Sequence, residues 1–202
     1  MVKKLFGDFQ WESQTDKILL TFDDGPIPET TELILKELDK LRLKAAFFCV
    51  GNNIKNNRSL CNEIISAGHT IGNHTFNHRK LRGLDRNTTA AEIDSFNHLL
   101  NDEHDYKVKY FRPPHGQFTL SIKNMLAKRG MRNTMWSLLT YDYENDLNLV
   151  KFALERFLKN NSIIVLHDSI RSQKIIKDAI NIIVETSSRK GYEIGEPAEC
   201  LK

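Results

Sequence analysis

The sequence predicts an α/β fold of successive strand–helix units wound into a parallel barrel smaller than the eightfold form. Two observations carry this. Short apolar runs alternate with longer stretches of helical periodicity from residue 17 almost to the C-terminus, the pattern of parallel βα architecture. The chain has 202 residues, whereas eight full units need about 250. Prolines and glycines form no cluster, and no internal repeat interrupts the pattern. One domain over 1–202, with its core at about 17–195, is therefore expected.

Taken in order, Ile18–Phe22 is the first apolar run. A helix over Glu29–Leu41 follows, with Leu33, Ile34, Leu38 and Leu41 on one face, and leads to a strand at Lys44–Val50. The helix Asn57–Ala67 turns Leu60, Ile64 and Ile65 inward and precedes a short strand around Thr70 and Ile71. A third helix, Asn87–Asn101, carries Ala91, Ile93, Phe96, Leu99 and Leu100. Strand Val108–Phe111, helix Leu120–Arg129 and strand Asn133–Leu138 come next. Helix Leu147–Lys159 has Val150, Ala153 and Phe157 at helical spacing, Ser162–Leu166 is a buried β-branched strand, Gln173–Ser188 is an isoleucine-rich helix, and Tyr192–Ile194 is the last strand.

The 29 basic and 26 acidic residues, net +3, are scattered, so the basic stripe that nucleic acid requires is missing and nucleic acid is excluded as a partner. The N-terminus has no apolar run of signal-peptide length and no window reaches a membrane span. A cytoplasmic location is expected for the chain as given, and an extracellular or periplasmic one if a signal peptide has been trimmed. No protein partner is implied. Cys49, Cys61 and Cys200 are odd in number, without CxxC spacing, and read as buried or idle thiols.

In parallel βα folds chemistry gathers at the carboxyl ends of the strands. The first strand ends in Asp23-Asp24-Gly25-Pro26, where adjacent carboxylates repel unless a cation compensates; a turn- or helix-capping Asp24 is the alternative. The third ends in Gly72-Asn73-His74-Thr75-Phe76-Asn77-His78. Histidines at i and i+4 share one helical face and can reach one ion, or they are ordinary surface or core histidines. Two imidazoles and a carboxylate make a three-ligand zinc set with a position open for water. His69 reads as a strand-entry residue. Arg112-Pro113-Pro114-His115-Gly116 can hold a guanidinium and a backbone N–H rigidly, or is merely a stiff loop. His167, after Val165-Leu166, emerges at the same rim or is a hydrogen-bonded structural histidine.

Read in order, TFDDGP (21–26), HTIGNHTFNH (69–78), RPPHG (112–116), WSLLTYDY (136–143) and VLHD (165–168) resemble the NodB-type polysaccharide deacetylases, carbohydrate esterase family 4. The resemblance implies a distorted (β/α)7 barrel of NodB-homology type. It implies Asp23 as catalytic base, Asp24, His74 and His78 as ligands of Zn2+ or another divalent ion such as Co2+ or Ni2+, and Arg112 as the partner of Asp23. By the same resemblance the His115 N–H faces the oxyanion, His167 is the general acid, and Pro113, Trp136 and Leu166 lie against the substrate, an acetylated carbohydrate. In the fourth motif Leu139 and Tyr143 replace the family's usual aspartate and tryptophan. Carboxylate support for His167 then falls to Asp142, with Asp168 as the weaker candidate. Three functions remain in view: N-deacetylation of an amino sugar, O-acetyl ester hydrolysis at the same metal site, and a silent glycan-binding relative.

Overall fold

The computed structural model describes residues 9–201; residues 1–8 and 202 lie outside them. The elements run β1 (Lys17–Asp23), α1 (Thr30–Leu41), β2 (Ala46–Cys49), α2 (Gly51–Asn56), α3 (Arg58–Ser66), β3 (Thr70–Asn73), α4 (Arg86–His104), β4 (Tyr110–Phe111), α5 (Ile122–Ala127) and β5 (Arg132–Asn133). They continue with β6 (Leu138–Leu139), α6 (Leu147–Phe157), β7 (Ile163–His167), α7 (Ile176–Arg189), β8 (Glu193–Ile194) and α8 (Pro197–Cys200). The strands lie in the order β5-β4-β3-β2-β1-β7-β6, with β8 added at the lower end of β1. Every ladder is parallel, giving a half-barrel with helices outside it. No described helix is long and apolar enough to cross a membrane.

The central strands are buried on both faces, which explains their unbroken apolar runs. Alternation sorts them. Ile18, Leu20, Phe22, Phe47, Cys49, Ile164 and Leu166 pack toward the helices, with Ile34, Leu38, Ile93, Phe96 and Ile180. Leu19, Ala46, Phe48 and Ile163 fill the inside of the half-barrel, where Cys200 and Leu201 join them. All three cysteines are buried free thiols, as read from the sequence.

Several expectations are corrected. The single strand Asn133–Leu138 is two: β5 pairs with β4 at one edge of the sheet and β6 with β7 at the other. Residues 134–137 cross the gap between the edges, and Gln10 stitches it by hydrogen bonds from its N–H to the Asn133 carbonyl (2.9 Å) and from the Met135 N–H to its own carbonyl (2.7 Å). Leu33 and Phe157, placed on inward faces by spacing, are 39% and 51% exposed; Ile34 and Leu38 in α1, and Val150, Ala153 and Leu154 in α6, take the buried faces instead. The short α2 was not anticipated, since GNNIKN shows no apolar periodicity.

The pair His74 and His78 does not sit on a helix either. Thr75 (φ 67) and His78 (φ 55) are left-handed, so the chain coils as a loop after β3. Two neighbours set that loop. The first amides of α2, Gly51 and Asn52, donate to the carbonyls of Thr75 (3.0 Å) and Phe76 (2.9 Å). From α4, the buried Glu92 accepts from the Asn77 N–H (2.8 Å) and from its side-chain amide (2.9 Å).

Glycine at 72 answers a packing demand. Gly72 is the register partner of Phe48, and a Cβ there would fall 2.5 Å from the Phe48 ring. Overpacking of this kind costs about 1–3 kcal/mol. Gly72→Ala is therefore expected to lower the denaturant midpoint of the metal-free protein with an unchanged m-value; an unaltered midpoint would show that Phe48 can move aside freely.

Candidate active site

The inner-face residues at the top of the half-barrel are polar, and register brings them together. In the β1–β7 ladder Asp23 is the Cα partner of His167, while His74 extends β3 by donating its N–H to the Cys49 carbonyl (2.9 Å). Asp23, Asp24, His74, His78, His115, Trp136, Leu139, Tyr143, Val165 and His167 line one cavity of about 740 Å³, closed on one side by Ile27 and by 169–171.

Arg112 organises the floor. It is fully buried, so its charge and donors must be met internally. Nη1 donates to Asp23 Oδ1 (2.6 Å) and Thr21 Oγ1 (2.8 Å), Nε to the Thr134 carbonyl (3.0 Å) and Nη2 to the Met135 carbonyl (2.9 Å). The Phe48 ring covers the guanidinium face at 3.9 Å, a stacked cation–π contact. The backbone carbonyl of the same arginine accepts from His74 Nδ1 at 2.8 Å. Because a carbonyl can only accept, the proton is on Nδ1, and Nε2 turns its lone pair toward Asp24. Burial lowers the His74 pKa against the pull of Asp23 and Asp24, which keeps this imidazole neutral.

Asp24 meets both histidines. Its Oδ1 lies 3.1 Å from His78 Nε2 and 3.6 Å from His74 Nε2. One donor atom from each of Asp24, His74 and His78 falls within 4.8 Å of the other two, the one such group among the described residues. Ligand atoms at 2.0–2.2 Å around a tetrahedral zinc stand about 3.3 Å apart, so the two carboxylate–imidazole separations bracket what one ion requires. Two imidazoles and one carboxylate, with a tautomer already fixed, fit a divalent transition ion. Burial opposes the Asp24 charge, but the His78 hydrogen bond and the neighbouring His74 and His167 outweigh it and bring the carboxyl to about 2. Asp24 caps no helix, since Glu29 occupies the N-cap of α1.

On the other wall His167 Nδ1 donates to Asp142 Oδ1 at 2.8 Å, and its N–H donates to Oδ2 at 2.7 Å. Asp142 is fully buried, with Thr140 Oγ1 at 2.9 Å. Leu139 therefore leaves the histidine with its carboxylate partner. Burial alone would lower the His167 pKa, yet the hydrogen bond and charge of Asp142, aided by Asp23 and Asp24, raise it to about 9. Tyr143 packs edge-on to this ring at 4.9 Å. Asp168 is engaged elsewhere: buried against Gly25, it accepts from Thr31 Oγ1 at 2.6 Å, and burial raises it to about 8. Burial thus favours its uncharged form beside Asp23 and Asp24.

Two residues expected against the substrate lie elsewhere. Leu166 is fully buried on the helix side of β7, and strand alternation puts Val165 in the cavity wall instead. Pro113 is buried and outside the lining, stiffening the approach to His115. That histidine, left-handed at φ 56, sits 4.9 Å ring to ring from His78. His69 is structural, its Nδ1 accepting from the Ala45 N–H at 3.1 Å; burial, with Lys44, lowers it to about 4. Sequence reasoning missed Thr21, Phe48, Glu92 and Val165. Only Glu92, a carboxylate among the apolar positions of α4, gave a local signal.

An arginine-paired carboxylate, a carboxylate-held histidine and a group that could hold one ion thus gather at the carboxyl ends of parallel strands, where folds of this kind keep their chemistry. Residues 12–134 match the polysaccharide deacetylase family, and the chain belongs to that family. It is 35% identical over 156 residues to a chitooligosaccharide deacetylase of Azorhizobium caulinodans, covering 75% of this chain and 73% of that protein. It is 31% identical over 176 residues to chitin deacetylase 1 of Saccharomyces cerevisiae, covering 83% of this chain and 57% of that one. The chain thus spans only about half the length of several curated relatives. Among solved structures, a peptidoglycan N-acetylglucosamine deacetylase superposes with a TM-score of 0.89 at 25% identity over 95% of this chain and 92% of that one. A pseudoenzyme of carbohydrate esterase family 4 from Bacillus anthracis shares the fold, with a TM-score of 0.83 at 22% identity over 95% of this chain and 68% of that one. Fold membership alone therefore does not decide activity, and the side chains must.

A group whose folded pKa is raised contributes its stability below the unfolded value, and loses it as pH climbs through the folded value. For His167 that window runs from about 6.5 to about 9. In metal-free protein its imidazole resonances are expected to titrate near the upper figure and, in Asp142→Asn, more than one unit lower. Titration near 6.5 in both proteins would remove the proposed effect of Asp142.

Proposed function

We propose that the chain is a metal-dependent N-deacetylase of amino-sugar polymers or oligomers. One observation carries the reading. A carboxylate fixed by a buried arginine and a histidine held by a buried carboxylate flank the Asp24, His74 and His78 cluster across one cavity. A divalent ion bound by those three side chains would polarise the acetyl carbonyl and acidify a water molecule.

The chain's own groups supply the rest. Asp23, oriented by Arg112, takes the proton of the attacking water. Oxyanion charge is met by the backbone N–H of His115, a type of contact worth about 3 kcal/mol. His167, its pKa raised against burial by the hydrogen bond and charge of Asp142, gives its proton to the departing amine, a poor leaving group without one. Trp136, Val165 and Leu139 supply apolar wall for the acetyl methyl. Support for N-acetylated glycans comes from the relatives, which are named for chitin, chitooligosaccharides and peptidoglycan N-acetylglucosamine. An alkoxide leaves with less help than an amine, so the Asp142–His167 pair favours the amide over an O-acetyl ester.

With zinc-loaded protein and N-acetylglucosamine oligomers, Asp23→Asn is expected to lower kcat about 10²–10⁴-fold while retaining its zinc. His167→Ala is expected to suppress acetate release from the amide far more than from an acetate ester. Undiminished turnover in Asp23→Asn would remove the proposed base.

A further inference from the structure

The two imidazoles of the Asp24, His74 and His78 group are held in different ways. His74 is fixed through its ring, because Nδ1 donates to the Arg112 carbonyl at 2.8 Å. His78 has no such tie. Its Nε2 faces Asp24 Oδ1 at 3.1 Å, and among the described residues no hydrogen bond reaches its Nδ1. Where this imidazole points is therefore decided by the main chain that carries it.

That main chain is constrained at both ends. Thr75 (φ 67) and His78 (φ 55) are left-handed without being glycine, a conformation that persists only where the surroundings impose it. Here the imposition acts on the two residues between them. Glu92, buried in α4, accepts at three atoms. Its carbonyl takes the Phe76 N–H at 3.1 Å, Oε2 takes the Asn77 N–H at 2.8 Å, and Oε1 takes the Asn77 side-chain amide at 2.9 Å. Asn77 is gripped from α2 as well, where Asn52 Nδ2 donates to its Oδ1 at 2.6 Å. The residue immediately before His78 is thus bracketed by two helices.

We propose, on the reading of Asp24, His74 and His78 as a metal site, that Glu92 is a positioning residue for the ion. Acting through Asn77, it fixes the left-handed turn at His78 and aims Nε2 at the place shared with Asp24 and His74. Glu92 does not line the cavity, so it acts on the ion only through the loop. The direction of each hydrogen bond matters as much as its presence. Asn77→Asp would set two carboxylates face to face, whereas Glu92→Gln beside it would put a donor back between them and leave the net charge that of wild type.

The test measures zinc dissociation constants of wild type, Asn77→Asp, Glu92→Gln and the double variant by competition with a chromophoric chelator. The visible spectrum of the cobalt(II)-loaded proteins gives a second readout, and the denaturant midpoints of the metal-free proteins record folding. Each single variant is expected to weaken zinc about 10–100-fold and to alter the cobalt spectrum, and the double variant to recover most of the loss. Asn77→Asp is the sharper of the two. It changes an exposed residue and adds a negative charge that by itself favours a cation, so weaker binding there reports position. A purely structural role would lower the midpoints and leave the constants of the folded proteins unchanged. Zinc binding in wild type with an unchanged constant in Asn77→Asp, or a loss that the double variant does not recover, overturns the proposal. Wild type that binds no zinc sinks the metal-site reading itself, and the proposal with it.

Discussion

A guanidinium with no access to water must find every partner inside the protein, and here that requirement joins parts of the fold that the chain keeps far apart. Desolvating such a group costs several kcal/mol unless its charge and donors are met. Arg112 meets them with Asp23 from β1, Thr21 one inward position below it, and the carbonyls of Thr134 and Met135. Those two carbonyls belong to the segment that bridges the unladdered edges of the half-barrel. The arginine thus fastens the seam of the sheet with the same side chain that orients the proposed base, and its own carbonyl fixes the tautomer of His74. The proposed base, the proposed ligand His74 and the closure of the half-barrel all depend on one residue.

Strand alternation decides which residues can share in this. Inner positions hold Leu19, Ala46 and Ile163 low in the half-barrel, and Asp23, Val165 and His167 at its mouth. The change from apolar to charged along one face places chemistry beside solvent and packing beneath it. Phe48 shows how the layers meet: its ring covers Arg112, and it can do so because Gly72 on the next strand carries no side chain. A small residue in β3 therefore acts on a carboxylate in β1 through two intermediate side chains.

Much of this was legible in the sequence, because parallel strands covered on both faces read as apolar runs and the residues after them land on one rim. Asp24, His74 and His78 could be grouped on that ground, and Asp142 could be named as the support for His167. The local geometry of the histidines could not. Their i, i+4 spacing suggested a helix, whereas left-handed Thr75 and His78, clasped by α2 and Glu92, bring the rings together in a loop. Leu166 was misplaced for a related reason: an unbroken apolar run does not reveal which alternate residue faces inward until the register is known. The division of 133–138 into two edge strands was hidden because it follows from pairing with distant partners, β4 and β7, and no local signal marks it.

The central claim is that Asp24, His74 and His78, held in this arrangement around Arg112, grip one cation. X-ray absorption at the zinc edge, on protein loaded to saturation and then desalted, tests it most directly. One equivalent of zinc with two imidazole nitrogens and carboxylate or water oxygens at about 2.0–2.2 Å is the expected result. Protein that retains no zinc, or a coordination shell without imidazole, would contradict the account.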